Sequence, residues 1–329
     1  MGTRLDSLPS IAALVARLTS PAAAEAFSPL CGRPYALVAL DGDASAAVAY
    51  RPNCPVIGIG DVDDLDAVPE LVDVAVESDG QAEFVAEAIE RNPIASMTLV
   101  GLLRHNERVA TEDALLAESL AYSTLQHGAE FQSWLASRPS RRIPPDPEPP
   151  VIVDRVHDVL HIALNRPKRR NAYSSGLRDA LCEALYLVAD DPGIEKAILR
   201  GAGVCFSAGG DLDEFGEGSD AGLAHASRLT RSAGATLHAL RDRVEARLHG
   251  ACIGAGIELP AFVNHVVARE DAFFQLPEVS MGLVPGAGGT ASILPRIGRR
   301  RLAYMALTGE RIDAGTALEW GLVDEIQPG

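Results

Sequence analysis

Lysine is almost missing from this chain. Lys168 and Lys196 are the only two in 329 residues, so arginine carries the positive charge and an amine nucleophile has very few candidates. Schiff-base chemistry is not expected. Basic residues are outnumbered by acidic ones, 29 to 45, and the net charge of −16 repels phosphate backbones and anionic membrane surfaces. That argues against nucleic acid or a membrane as partner, although a few local arginines and helix N-termini still suffice to hold a polyphosphate ligand. Cysteine is scarce and unmatched: the five residues Cys31, Cys54, Cys182, Cys205 and Cys252 are an odd number without a C-x-x-C pair. Neither a disulfide framework nor a zinc knuckle is suggested, no metal ligand set is expected, and the cysteine usage reads as a reducing, cytoplasmic compartment. Long apolar runs are also lacking. Ile11 to Leu18 is interrupted by Arg17, has no basic leader and is too short to span a bilayer.

What is present is ordinary globular material, 47% hydrophobic and 22% charged, in a length that allows one large or two modest domains. The clearest boundary is SRPSRRIPPDPEPP at 137–150, which reads as a linker because proline has no amide N–H and resists helix interiors. After it, strand-like runs (Val151 to Val153, Val159 to Leu164, Ala197 to Arg200, Arg247 to Cys252, His265 to Ala268) alternate with helix-like runs (Ser174 to Val188, Ala221 to Arg243, Ile257 to Val263, Ala287 to Ile297, Arg299 to Thr308). Such alternation predicts α/β layering. Before it, 35–76 is strand-rich and 81–136 is helical, with apolar positions recurring at three and four.

Three stretches of the second half carry chemistry. GAGVCFSAGGDLDEF at 201–215 is a strand end opening into a turn of small residues, where Gly209 and Gly210 permit close approach of a ligand; a plain turn before Asp211 is the simpler alternative. LHGACIGAGIELPA at 248–261 runs from a strand through Gly254, Ala255 and Gly256 into a helix bearing Glu258, whose free amides are able to stabilise an oxyanion. Glu258 there either acts beside those donors or merely complements the helix dipole. FFQLPEVSMGLVPGAGGT at 273–290 places Glu278 among apolar neighbours before a glycine-rich turn. A carboxylate so placed has a raised pKa or a specific partner. Together these features suit proton transfer next to a carbonyl.

Taken in order and at this spacing, LNRPKRRNAYS (164–174), GAGVCFSAGGDL, HGACIGAGIELPAF and QLPEVSMGLVPGAGGTASILPRIG, followed by LTGERIDAGTALEWGLVDEI, resemble the enoyl-CoA hydratase/isomerase, or crotonase, superfamily over residues 151–329. The resemblance implies an α/β fold, a crotonase-like spiral of ββα units with a helical cap, binding an acyl-CoA thioester. By that likeness the backbone N–H groups of Gly210 and Ala255 hold the thioester oxygen. Glu258 activates water, Glu278 donates the proton, and Gly286 helps through its backbone. Ser207, Ala208 and Leu212 contact the adenine, and Lys168, Arg169 and Arg170 are candidates for the CoA phosphates. No cofactor beyond the coenzyme A of the substrate is implied, and family assembly is a homo-oligomer, a trimer or hexamer.

The implied reaction is syn addition of water to a 2-enoyl-CoA. Alternatives are an enoyl-CoA isomerase, which needs only one base, other acyl-CoA enolate chemistry (hydrolase, dehalogenase, aromatic acyl-CoA oxygenase), or a non-catalytic acyl-CoA-binding subunit. Family members continue past GLVDEI into helices that close the acyl pocket, and 81–138 resembles those helices placed before the core. The expected organisation is therefore an N-terminal α/β region (1–136), the linker (137–150) and the catalytic core (151–329), in a permuted arrangement or as a degenerate first repeat.

Overall fold

The computed structural model describes residues 8–40, 49–61, 64–65, 67–139, 148–216 and 220–328. The centre of the proline-rich linker, 140–147, lies outside the described residues. The chain begins with α1 (Ile11–Arg17) and α2 (Pro21–Glu25), each capped by a serine whose hydroxyl accepts an amide of the first turn. Strands β1 (Ala36–Ala39), β2 (Val56–Ile59) and β3 (Val74–Val76) then form a small parallel sheet in that order. Four helices follow: α3 (Asp79–Arg91), α4 (Pro93–Asn106), α5 (Thr111–Gln126) and α6 (Ala129–Ala136).

The second half supplies a six-stranded sheet built from β4 (Val151–Val156), β5 (Val159–Leu164), β6 (Lys196–Gly201), β7 (Val244–Leu248), β9 (His265–Arg269) and β12 (Glu325–Gln327). Every pairing in it is parallel except the β4–β5 hairpin. A second, three-stranded sheet joins β8 (Ala251–Ile253), β10 (Phe273–Gln275) and β11 (Ile312–Asp313). Helices α7 (Ser175–Asp190), α8 (Ala221–Thr230), α9 (Ala233–Ala239), α10 (Ala255–Glu258), α11 (Gly289–Ser292), α12 (Leu294–Thr308) and α13 (Ala314–Trp320) complete the layers. Helix α7 shows why they pack: Leu177, Leu181, Leu185 and Val188 recur every three or four residues and are buried on one face.

Several expected runs are divided in the structure: Ile257 to Val263 breaks after Glu258, where α10 ends, and Ala287 to Ile297 breaks between α11 and α12. Ala221 to Arg243 is not one helix: Arg231 leaves helical geometry, and the Ser232 hydroxyl accepts the Ala235 N–H at 3.1 Å, restarting the chain as α9. Arg247 to Cys252 is not one strand: Gly250 turns to φ +55°, and the place of its absent Cβ is filled by the Val204 carbonyl. The expected break between two helices at Gly298 is present, at φ +76°.

Both halves contribute to one core, in which Val85, Leu99, Leu103 and Phe131 join Leu160, Leu181, Phe274 and Leu302. A buried ionic node adds direction to this packing. Asp73 accepts from the Val56 N–H (2.9 Å), Arg104 Nε (2.8 Å) and Arg299 Nη1 (2.7 Å), tying the small sheet to α4 and α12. Removing one member of such a node strands buried charge.

Candidate active site

The first loop is organised by Asn171, which is fully buried and takes the left-handed conformation (φ +53°) that asparagine tolerates. Its Nδ2 donates to the carbonyls of Ala202 (2.8 Å), Cys205 (3.1 Å) and Phe206 (3.0 Å), and its Oδ1 accepts the Arg166 N–H at 2.9 Å. Tyr173 forms a parallel bridge with Gly210: the Tyr173 N–H donates to the Gly209 carbonyl (2.7 Å) and the Asp211 N–H to the Tyr173 carbonyl (2.9 Å). A parallel bridge of this kind uses the neighbours of Gly210 and leaves its own N–H without an acceptor among the described residues. Arg166 and Arg169 both pair with Asp211, at 2.9 and 3.2 Å, and fix where the loop leaves the sheet.

The second loop ends β8 at Gly254, whose φ of +49° turns the chain into α10. Ala255 opens that helix, so its N–H has no intrahelical acceptor, and its φ is not in the left-handed region, which is why alanine is tolerated there. The loops lie backbone to backbone. Ser207 N–H donates to the Ala251 carbonyl (3.1 Å), Ile253 N–H to the Ser207 carbonyl (3.0 Å), and a Cβ at Gly209 would stand 2.8 Å from the Ile253 carbonyl oxygen. Gly210 and Ala255 thereby line the same cleft, of about 820 Å³, with Glu258 and Glu278.

The two glutamates converge on Gly254: a Cβ there would collide with Glu278 Oε1 and come within 3.6 Å of Glu258 Oε1. Glu258 is buried, and its Oε2 accepts the N–H groups of Ala287 (2.8 Å) and Gly289 (2.9 Å). Gly286 also turns its N–H toward Glu258, so its backbone serves the carboxylate; it precedes α11, which starts only at Gly289. Glu278 differs, because its Oε2 is buried with no hydrogen-bond partner among the described residues. Burial raises both carboxyls above the ordinary range; amide donors oppose this at Glu258, while the charge of Glu258 raises Glu278 further.

A third carboxyl, Glu118 on α5, is not foreseen from the sequence. It is buried, its Oε1 accepts the Gly288 N–H (2.7 Å), and its Oε2 accepts the N–H (2.9 Å) and hydroxyl (2.6 Å) of Thr290. Four successive amides are thus held alternately, Ala287 and Gly289 by Glu258, Gly288 and Thr290 by Glu118. Burial pushes Glu118 up, with the charge of Glu258 as the next cause. The signal in the sequence is positional: Glu118 lies on the stripe Ala114, Glu118, Tyr122, Leu125 that α5 buries.

Of the residues expected at the coenzyme, Lys168 and Arg170 are exposed beside the first loop and Arg169 is spent partly on Asp211. The Ala208 N–H donates to the Arg170 carbonyl at 2.9 Å, which brings the two groups to one corner. Ala208 and Leu212 are half-buried there. None of these six residues is among those lining the described cleft. Ser207 is buried and its hydroxyl is committed, donating to the Asn171 carbonyl (2.8 Å) and accepting the Gly209 N–H (3.2 Å). Ser207→Ala is therefore expected to cost about 1–2 kcal/mol of stability in urea unfolding, the range for stranding a buried hydrogen-bonding group. An unchanged midpoint would show that the hydroxyl is not structural.

The family model for enoyl-CoA hydratase/isomerase matches residues 154–329. The chain is 37% identical over 178 residues to the 2,3-dehydroadipyl-CoA hydratase of Escherichia coli K12, covering 54% of this chain and 69% of that protein. It is 36% identical over 173 residues to the mitochondrial enoyl-CoA hydratase of Pongo abelii, covering 51% of this chain and 57% of that protein. Among solved structures, the enoyl-CoA hydratase of Bacillus anthracis superposes with a TM-score of 0.51 at 32% identity, over 54% of this chain and 70% of that one. An enoyl-CoA hydratase/isomerase of Mycobacterium paratuberculosis gives 0.51 at 32%, over 55% and 73%. The chain belongs to the enoyl-CoA hydratase/isomerase family, with the crotonase fold. Within that family it is an enzyme of the hydratase, or lyase, type. Among the described residues no helix is long and apolar enough to cross a membrane.

Proposed function

We propose that the chain adds water across the conjugated double bond of a 2-enoyl-CoA thioester, with Glu258 and Glu278 as the acid–base pair. The observation that carries this reading is the meeting at Gly254 of two carboxyls, Glu258 buried and Glu278 with its Oε2 buried, beside two amide N–H groups, of Gly210 and Ala255, that have no acceptor among the described residues. The thioester carbonyl oxygen accepts from those two amides. Glu258, made the more acidic carboxyl by its amide donors, takes a proton from water as the water oxygen bonds to the β-carbon. The π electrons move toward the carbonyl, and the enolate oxygen is held by amide dipoles worth about 3–4 kcal/mol per donor. Glu278, with its unpartnered oxygen favouring the neutral form, then protonates the α-carbon. Return of a proton from Glu258 to Glu278 resets the pair. An isomerase needs only one of these carboxyls, so the retained pair favours hydration.

The N-terminal helices serve this site in our reading. Helix α5 brings Tyr122 to its wall and Glu118 to the adjoining loop at Gly288, and α6 stacks Phe131 and Trp134 near Phe215 of the first loop, with ring centroids 6.4 and 6.1 Å away. They act as the cap over the acyl pocket, in a permuted order.

The direct test is loss of the conjugated enoyl-thioester absorbance when the protein meets crotonyl-CoA and a longer 2-enoyl-CoA. Turnover supports hydration; measurable binding without turnover contradicts it. The pH dependence is equally specific. Activity requires Glu258 ionised and Glu278 protonated, and both carboxyls are raised by burial. The kcat/KM profile is therefore a bell: it rises as Glu258 loses its proton, falls as Glu278 loses its own, and both limbs lie above the ~4.3 of an exposed glutamate. Those apparent values belong to the coupled pair. A profile still flat at pH 4.5 would contradict the assignment.

A further inference from the structure

The cleft adjoins a second chamber of about 460 Å³, and the two share Tyr173, Arg178, Arg228, Gly286 and Ala287 in their walls. If the thioester carbonyl sits at Gly210 and Ala255, one arm of the substrate leads out and the other leads into this chamber. The chamber is far too small for a nucleotide with its pantetheine arm, so it receives the acyl chain. An acyl pocket for plain hydrocarbon tails is expected to be apolar. This one is not.

Arg228, on α8, is half-buried in its wall. Its Nε donates to the Ser119 hydroxyl (3.1 Å), and its Nη2 donates to the Ser119 carbonyl (3.4 Å) and to the Ser123 hydroxyl. The guanidinium stands 5.0 Å from the centroid of the Tyr122 ring. Among the described residues Nη1 makes no hydrogen bond, and no carboxylate lies within ion-pair distance of Arg228. The neighbouring cations Arg178 and Arg231 have partners, Asp179 at 2.8 Å and Glu183 at 3.7 Å. Glu118 is the one acidic side chain among the chamber's lining residues, and both its oxygens are committed to the amides of Gly288 and Thr290. Burial disfavours the charge on Arg228, and the charge of Glu118 nearby offsets that only in part. In a chain of net charge −16, a desolvated guanidinium held by neutral hydroxyls and facing a ligand chamber calls for an anion from the ligand.

Resting on the hydratase reading, we propose that this enzyme takes enoyl-CoA substrates whose acyl chain ends in a carboxylate, and that Arg228 is the specificity-determining residue that receives it. A carboxylate bound there completes a charge-assisted contact through Nη1, while a terminal methyl leaves the cation buried and unanswered.

The test compares 2-hexenoyl-CoA with the six-carbon 2-enedioyl mono-CoA thioester. Wild-type enzyme is expected to prefer the carboxylate-ended substrate about tenfold to a hundredfold in kcat/KM. Arg228→Gln is expected to remove most of that ratio and Arg228→Lys to retain part of it. A wild-type ratio at or below one, or a ratio unaltered in Arg228→Gln, overturns the proposal. Calorimetric affinities for the two saturated thioesters, one ending in methyl and one in carboxylate, separate this from the hydratase reading. If neither enoyl-CoA is hydrated, that reading fails, yet the same affinity preference is still expected. Equal affinities of the wild-type enzyme for the two saturated esters overturn the anionic pocket itself.

Discussion

Glu258→Gln is expected to lower kcat for 2-enoyl-CoA hydration about a hundredfold to ten-thousandfold while the protein stays folded. The size follows from the loss of general-base help to the attacking water. The folded state survives because glutamine keeps an oxygen where Glu258 Oε2 accepts the Ala287 and Gly289 N–H groups. Glu278→Gln is expected to lose a comparable factor, since an amide has no proton to give to the α-carbon. The two losses are not additive: both side chains face Gly254, serve one water, and act as a unit, so the double variant falls little below the worse single one. Steady-state kinetics with crotonyl-CoA decides the matter. A Glu258→Gln enzyme retaining more than a tenth of wild-type kcat would remove Glu258 from the acid–base role.

The second large effect is structural in origin and kinetic in consequence. Glu118→Ala removes the acceptor from the Gly288 N–H, the Thr290 N–H and the Thr290 hydroxyl, all at a site where Thr290 is fully buried. Each stranded donor costs about 1–3 kcal/mol unless water reaches it, so a stability loss of about 3 kcal/mol is expected in chemical unfolding. Because the intervening amides of Ala287 and Gly289 hold Glu258, loosening the loop also displaces the base, and kcat is expected to fall at least about tenfold. Glu118→Gln separates the two roles. It keeps shape and one acceptor but removes the negative charge that helps raise Glu278, so the alkaline limb of the pH profile moves to lower pH. An unshifted limb in a folded Glu118→Gln enzyme would show that Glu118 does not act on the acid through its charge.

Legibility of this molecule in its sequence was uneven for physical reasons. The second half was readable because its motifs are backbone devices. Gly209, Gly254 and Gly298 adopt left-handed φ values that a glycine permits, and such turns leave a local mark. Glu278 stands among apolar neighbours within its motif, which is the mark of a raised pKa or a specific partner. The stripe on α5 marks Glu118 for burial but not its role, because its partners at Gly288 and Thr290 are 170 and 172 residues away and no local pattern encodes them. Asn171 sits inside a basic turn and carries no local mark of the three first-loop carbonyls that its amide holds. The commitment of the Ser207 hydroxyl to the Asn171 carbonyl, 36 residues away, likewise leaves no local mark. Helix existence over 81–136 was clear from apolar spacing, but which face met the site depended on packing that periodicity does not report.

The most direct test of the central claim is product analysis after turnover of crotonyl-CoA in water enriched in ¹⁸O and deuterium. Addition of water by the paired glutamates predicts one ¹⁸O on the β-carbon and one deuterium on the α-carbon of the recovered 3-hydroxyacyl-CoA, both lost in Glu258→Gln and Glu278→Gln. Release of free coenzyme A, or deuterium exchange without ¹⁸O at the β-carbon, would contradict hydration and assign the two carboxylates to another enolate reaction.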